Sequence, residues 1–216
     1  MKADFGLMLV TDRAISGGRS IEKIVEAAAA GGVSIVQLRE KEATTREFVA
    51  IGRRVAEILR LRRIPLIIND RVDIALAVLA DGVHLGTSDM SVTDARAILG
   101  PRAIIGLSVE NDKQAVTAER LDVDYLGVSP VFSTPTKTDT GAPWGVEGLW
   151  RLRPLVKKPL VAIGGINAGN AARVMEAGAD GLAVVSEICS APDPEAAARE
   201  LRRLVDAARA RKVGKR

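Results

Sequence analysis

The stretch Ser34-Ile-Val-Gln-Leu-Arg39 passes through a polar turn into Arg46-Glu-Phe-Val-Ala-Ile-Gly-Arg-Arg-Val-Ala-Glu-Ile-Leu-Arg-Leu61. The chain then returns as Leu66-Ile-Ile-Asn69. The two outer pieces are short and aliphatic, as strands are, while the middle piece repeats its apolar residues at helical spacing. Thr44 or Thr45 stands where a helix N-cap belongs. A strand, a helix and a strand in that order pair in parallel, because the crossover must return over the sheet.

The same unit recurs along the chain. Candidate strands are Leu7–Thr11, Ser34–Arg39, Leu66–Asn69, Gly82–Leu85, Ala103–Ser108, Tyr125–Val128, Leu160–Ile163 and Leu182–Val185. Helical patterns include Ile21–Ala30 after Ser20, Arg46–Leu61 and Ala171–Ala177, and Pro192-Asp193-Pro194 opens the last helix. About eight such units in a little over 200 residues match a (β/α)8 TIM barrel. The expected fold is therefore α/β, a single barrel domain over 1–216, with 209–216 a frayed basic tail. An open doubly wound sheet would need a glycine-rich turn after the first strand, and Thr11-Asp12-Arg13-Ala14 is not one.

Bulk properties narrow the class. Hydrophobic residues at 47% and charged residues at 27% suit a soluble globular chain. No apolar run approaches the roughly 20 residues of a membrane span. The opening MKADFGLMLVTDR reads as no signal peptide, so the cytoplasm is the expected location. The single Cys189 fits a reducing compartment and reads as a small core residue. Lys and Arg exceed Asp and Glu by only 31 − 27 = 4, and aromatic residues are 3% of the chain, which argues against nucleic acid as a partner. Assembly with further copies of the chain stays open.

In such barrels the chemistry lies at the C-terminal strand ends and the loops beyond them. Reading those positions yields Gln37-Leu38-Arg39-Glu40-Lys41, Asn69-Asp70-Arg71, His84-Leu85-Gly86 with Asp89, and Ser108. Further along come the long loop Ser129–Gly145 carrying Thr134 to Asp139, then Gly164-Gly165-Ile166 and Val185-Ser186. Arg39, Lys41 and Lys137 supply a planar fork and movable point charges suited to phosphate oxygens. Asp70 and Asp89 are too few for a calcium cage and suit Mg2+, which takes one or two carboxylates plus waters and substrate phosphates. Simple surface pairing of Arg39 and Lys41 with Glu40 and Glu42 is the plainer alternative. Gly164-Gly165 and Val185-Ser186 form the phosphate site that barrels often build after strands seven and eight. Two anion sites in one mouth imply two phosphorylated small molecules, or one carrying two phosphates.

These residues resemble the thiamine-phosphate synthase family almost end to end. The resemblance is carried by Gln37–Lys41, Ile68–Leu76, Gly82–Gly86, Thr134–Asp139 and Val161–Ile166. It implies condensation of 4-amino-2-methyl-5-hydroxymethylpyrimidine diphosphate with 4-methyl-5-(2-phosphoethyl)thiazole, by dissociative loss of diphosphate with Mg2+ as cofactor. Carried over, Gln37, Leu38, Arg39, Glu40, Lys41 and Asn69 would hold the pyrimidine diphosphate, with Ser108 and Lys137 on the pyrimidine. Asp70 and Asp89 would ligate Mg2+. Thr134, Pro135, Thr136, Gly165, Val185 and Ser186 would hold the thiazole phosphate. Arg39, Lys41, Ser108 and Lys137 form the expected catalytic group, and Ser129–Gly145 the expected lid. Ser129, Glu110 and Thr87-Ser88 depart from the family pattern without removing a charged or metal-binding position.

Several residues carry plainer readings. His84, flanked by Val83 and Leu85, reads as a hydrogen-bonded packing residue before a catalytic one. Asp12 and Arg13 fit an ion pair at the barrel mouth as well as a substrate contact. Trp144 is placed over the site, and Trp150 is expected to pack a helix onto the barrel. The rival functions are a thiazole tautomerase of the same barrel family, a phosphosugar isomerase or epimerase, and a non-catalytic phosphate binder. The first needs no diphosphate clamp, and the second leaves Asp70 and Asp89 unexplained.

Overall fold

The computed structural model describes residues 3–134 and 141–213. Eight strands follow in order: β1 (Leu7–Val10), β2 (Ile35–Leu38), β3 (Leu66–Asn69), β4 (Gly82–Leu85), β5 (Ile104–Val109), β6 (Tyr125–Val128), β7 (Leu160–Ile163) and β8 (Gly181–Val184). Each pairs in parallel with the next, and β1 pairs with β8 through Met8 and Ala183, so the sheet closes into a barrel. The expected (β/α)8 architecture is what the chain adopts.

Helices α1 (Ile21–Ala30), α2 (Thr45–Arg60), α3 (Val72–Val78), α4 (Val92–Leu99), α5 (Asp112–Ala118), α6 (Gly145–Leu152) and α7 (Ala171–Glu176) cross between strands. The short α8 (Ser186–Cys189) and the long α9 (Pro194–Val213) follow β8. The helix starts are local chemistry. Ser20 Oγ accepts from the Lys23 N–H, and Thr44 with Glu47 forms a reciprocal capping box. Each cap contributes about 1 kcal/mol.

The two-residue period of the strands divides the core in two. Met8, Val10, Ile35, Ile67, Tyr125, Val161 and Ala183 point inward and fill the lower barrel. Leu7, Leu9, Val36, Leu38, Leu66, Ile68, Val83 and Leu126 point outward beneath the helices. The inward set is apolar at the N-terminal ends of the strands and becomes polar towards their C-terminal ends, where Gln37, Asn69, His84 and Ser108 stand.

Two expectations are corrected. Residues 209–212 are not a frayed tail but the last turn of α9. Arg209 donates to Asp4 Oδ1 at 2.6 Å and to the Asp180 carbonyl, and Lys212 Nζ donates to the Ala179 carbonyl at 2.8 Å. The basic residues there meet the acids and carbonyls that precede β1 and β8. Trp150 does not pack a helix onto the barrel but is 74% exposed, because Leu149 and Leu152 already occupy the buried face of α6.

Candidate active site

A cavity of about 310 Å3 opens at the C-terminal ends of the strands. Among the sequence-derived candidates, Gln37, Arg39, Lys41, Asn69, Asp70, Asp89, Ser108, Thr134, Gly165, Val185 and Ser186 line it. Pro135, Thr136 and Lys137 lie outside the described residues. Leu38 and Glu40, also expected to hold the pyrimidine diphosphate, do not line the cavity. The pleat turns Leu38 into the layer under the helices. Glu40 is buried against Arg13 at 2.7 Å, and burial pushes its carboxyl up in pKa despite that cation.

The first side of the cavity is built from β1 to β4. Thr11 Oγ1 accepts the Arg39 N–H at 2.9 Å, and Asp12 Oδ2 lies 3.2 Å from Arg39 Nη1, so the guanidinium is held over the mouth. Lys41 Nζ lies 2.7 Å from Asp70 Oδ2. The two cations therefore pair with acids on neighbouring strand ends rather than with Glu40 and Glu42. Asp12 and Arg13 form two separate pairs, with Arg39 and Glu40.

Asp70 adopts a left-handed backbone (φ 64°), uncommon for a residue with a side chain, and its N–H donates to the His84 carbonyl at 2.8 Å. Its carboxyl hydrogen-bonds that of Asp89. Burial raises the pKa of Asp70, but the bonds from Lys41 and Asp89 outweigh it and the group ends below the usual range. Asp89 moves the other way: burial and the neighbouring Asp70 push it up, against a 2.6 Å bond from the Gly86 N–H. Two neighbouring carboxyls at the cavity wall are the donor type that a hard divalent cation takes. No group of three or more His, Cys, Asp or Glu with metal-site spacing occurs among the described residues. A pair of carboxylates suits Mg2+ completed by waters and phosphate oxygens.

The opposite side is built from β7 and β8. Gly164 (φ 103°) and Gly165 (φ 63°) take conformations that side chains rarely adopt, and a Cβ on Gly165 would lie 2.8 Å from Phe132 Cβ. Asn170 Nδ2 holds the Gly165 carbonyl at 2.9 Å. Ser186, at the start of α8, completes this wall.

The stems of the long sixth loop are fixed. Val131 and Phe132 N–H groups donate to the Ile163 and Gly164 carbonyls, and Trp144 and Gly145 N–H groups donate to those of Pro130 and Val131. Trp144 does not cover the cavity: it is 9% exposed and packs in the outer core. Strand-end reading missed Tyr125 and undervalued His84, both of which line the cavity. The inward parity they share with Gly127 and Gly82 is the signal that marks them.

The sequence profile of the thiamine monophosphate synthase family matches residues 7–188. The chain belongs to that family. It is 56% identical over 201 residues to the thiamine-phosphate synthase of Albidiferax ferrireducens, covering 93% of this chain and 92% of the relative. With that of Syntrophomonas wolfei it shares 52% over 204 residues, covering 94% and 98%. The solved structure of thiamine phosphate pyrophosphorylase from Pyrococcus furiosus superposes with a TM-score of 0.87 at 40% identity, covering 96% of this chain and 98% of that one. As a member of the thiamine monophosphate synthase family, the chain keeps a cavity with a cationic, carboxylate-bearing wall and a glycine wall facing it.

Proposed function

We propose that this protein is a thiamine-phosphate synthase. It joins 4-amino-2-methyl-5-hydroxymethylpyrimidine diphosphate to 4-methyl-5-(2-phosphoethyl)thiazole. The observation that carries the reading is the Asp70–Asp89 pair beside Lys41 and Arg39, set across one cavity from Gly165 and Ser186. One wall suits a diphosphate with its cation, and the other suits a monophosphate.

The bond that breaks joins the pyrimidine methylene carbon to the diphosphate oxygen, which leaves with the electron pair. The bond that forms joins that carbon to the thiazole nitrogen. Between the two events the amino group on the ring spreads the positive charge. Arg39 and Lys41, held in place by Asp12 and Asp70, stabilise the charge that develops on the leaving group. Lys137 shares that task. Mg2+ held by Asp70 and Asp89 would add positive charge at the diphosphate oxygens. The glycine wall with Thr134, Pro135 and Thr136 keeps the thiazole phosphate seated, so that the nitrogen waits at near-attack distance. The reaction belongs in the cytoplasm, and among the described residues no helix is long and apolar enough to cross a membrane.

The test is purified protein mixed with both substrates and Mg2+, with thiamine phosphate followed by thiochrome fluorescence. Product that vanishes with chelator and falls sharply in Lys137→Ala supports the reading. Folded protein that forms no product, yet isomerises a thiazole phosphate tautomer, replaces it with the tautomerase.

A further inference from the structure

Side chains from four strands meet at the floor of the cavity. The Tyr125 hydroxyl lies 2.8 Å from His84 Nδ1, and His84 Nε2 lies 2.9 Å from Ser108 Oγ. Gln37 stands on the same inward face and lines the cavity with Tyr125. Room for this chain is made by glycine. A Cβ on Gly106 would fall 2.1 Å from Tyr125 Cζ and 2.5 Å from His84 Nδ1, and one on Gly127 would fall 2.8 Å from His84 Cε1. Tyr125 and His84 are both buried, and their rings stack with centroids 5.4 Å apart. Backbone space has been cleared for a specific contact, which plain core packing would not require.

A neutral imidazole in such a chain allows two self-consistent proton arrangements. In one, the phenol donates to Nδ1 and Nε2–H donates to Ser108 Oγ. In the other, every donor becomes an acceptor. Acid strength favours the first. A phenol is a stronger acid than a neutral imidazole N–H, and an imidazole nitrogen a stronger base than a phenol oxygen, so O–H···N is the better matched pair.

We propose that His84 is a positioning residue. Held by Tyr125 as the Nε2–H tautomer, it donates to Ser108 Oγ and commits the Ser108 hydroxyl to donate its own proton into the cavity, toward an acceptor on the ligand. This rests on the synthase reading for the ligand's chemistry. A pyrimidine ring nitrogen carries an in-plane lone pair and accepts such a bond. The exocyclic amino group, with its lone pair delocalised into the ring, does not. The relay therefore selects a ring-nitrogen acceptor and fixes which edge of the pyrimidine faces Ser108.

The chain has one histidine, so a long-range proton–nitrogen correlation spectrum of the labelled, ligand-free protein reports His84 alone. The expected result at neutral pH is a proton on Nε2 and a bare Nδ1. A proton on Nδ1, alone or together with one on Nε2, overturns the inference even if turnover is normal. Loss of the synthase reading would leave that spectrum untouched. In folded Tyr125→Phe the tautomer preference should fade, and KM for the pyrimidine diphosphate should rise about 5- to 10-fold, with a smaller change in kcat. His84→Gln retains an amide donor for Ser108 and should lose less than His84→Leu. An unchanged KM in folded Tyr125→Phe overturns the link between tautomer and binding.

Discussion

The carboxyls of Asp70 and Asp89, on loops after adjacent strands, hydrogen-bond each other while Lys41 Nζ lies 2.7 Å from Asp70 Oδ2. Asp70 is pulled down in pKa and Asp89 pushed up. An acid whose folded pKa is raised costs stability at neutral pH, and the cost fades as pH falls below that pKa.

Replacing Asp89 with Asn should therefore separate stability from activity. In chelator, Asp89→Asn keeps the hydrogen bonds, removes the repulsion and melts at or above the wild-type temperature. In Mg2+ its turnover falls about 100-fold or more, the scale of losing several kcal/mol of charge stabilisation. Calorimetry beside the thiochrome assay reads both, and a variant that is unstable in chelator yet fully active would refute the assignment.

Gly165→Ala probes the opposite wall. The new Cβ must sit at φ 63° and 2.8 Å from Phe132 Cβ. A cost of about 1–2 kcal/mol in stability is expected for the left-handed backbone alone. KM should rise for the thiazole phosphate and stay near wild type for the pyrimidine diphosphate. Equal effects on both would mean that the walls do not divide the substrates.

The eight strands and the caps at Ser20 and Thr44 were legible because period and capping are local properties. Asp70, Asp89, Gly165 and Ser186 were legible because a barrel gathers its strand ends at one mouth. The relay through Tyr125 was not, since it depends on which residues of β2, β4, β5 and β6 share the inward face. Applying the two-residue period to Gln37 and Leu38 would have turned Leu38 away from the cavity. Trp150 misled for a related reason: the apolar run in α6 does not reveal that Leu149 and Leu152, and not Trp150, fill the contact.

The N-terminal segment should carry an acid-sensitive tie. Burial raises the pKa of Asp4, but bonds from Arg209, Arg202 and the Gly6 N–H take it down to about 2. A depressed acid contributes stability above its unfolded pKa and loses it as pH falls through the folded one. The melting-temperature gap between wild type and Asp4→Asn should thus narrow as pH drops from about 5 to about 2. The effect is modest, because the side chain is 42% exposed to screening solvent.

Arg13 should matter through Glu40, whose buried Oε1 has no partner among the described residues. Removing the cation strands a buried carboxylate. Arg13→Ala should cost about 1–2 kcal/mol at neutral pH, below the range for fully buried pairs because Arg13 is half exposed. Burial already raises the pKa of Glu40, so the deficit shrinks as pH falls and the carboxyl takes a proton. Adding Glu40→Gln should recover much of the loss, as denaturant titration of the four proteins would show.

The division of one cavity between a diphosphate wall and a monophosphate wall is tested most directly by a crystal structure with Mn2+, diphosphate and the thiazole phosphate. The expected result is an anomalous peak bound by Asp70 and Asp89, with diphosphate against Arg39 and Lys41 and the thiazole phosphate at Gly165 and Ser186. A metal bound elsewhere, or the two phosphate groups on exchanged walls, would contradict the account.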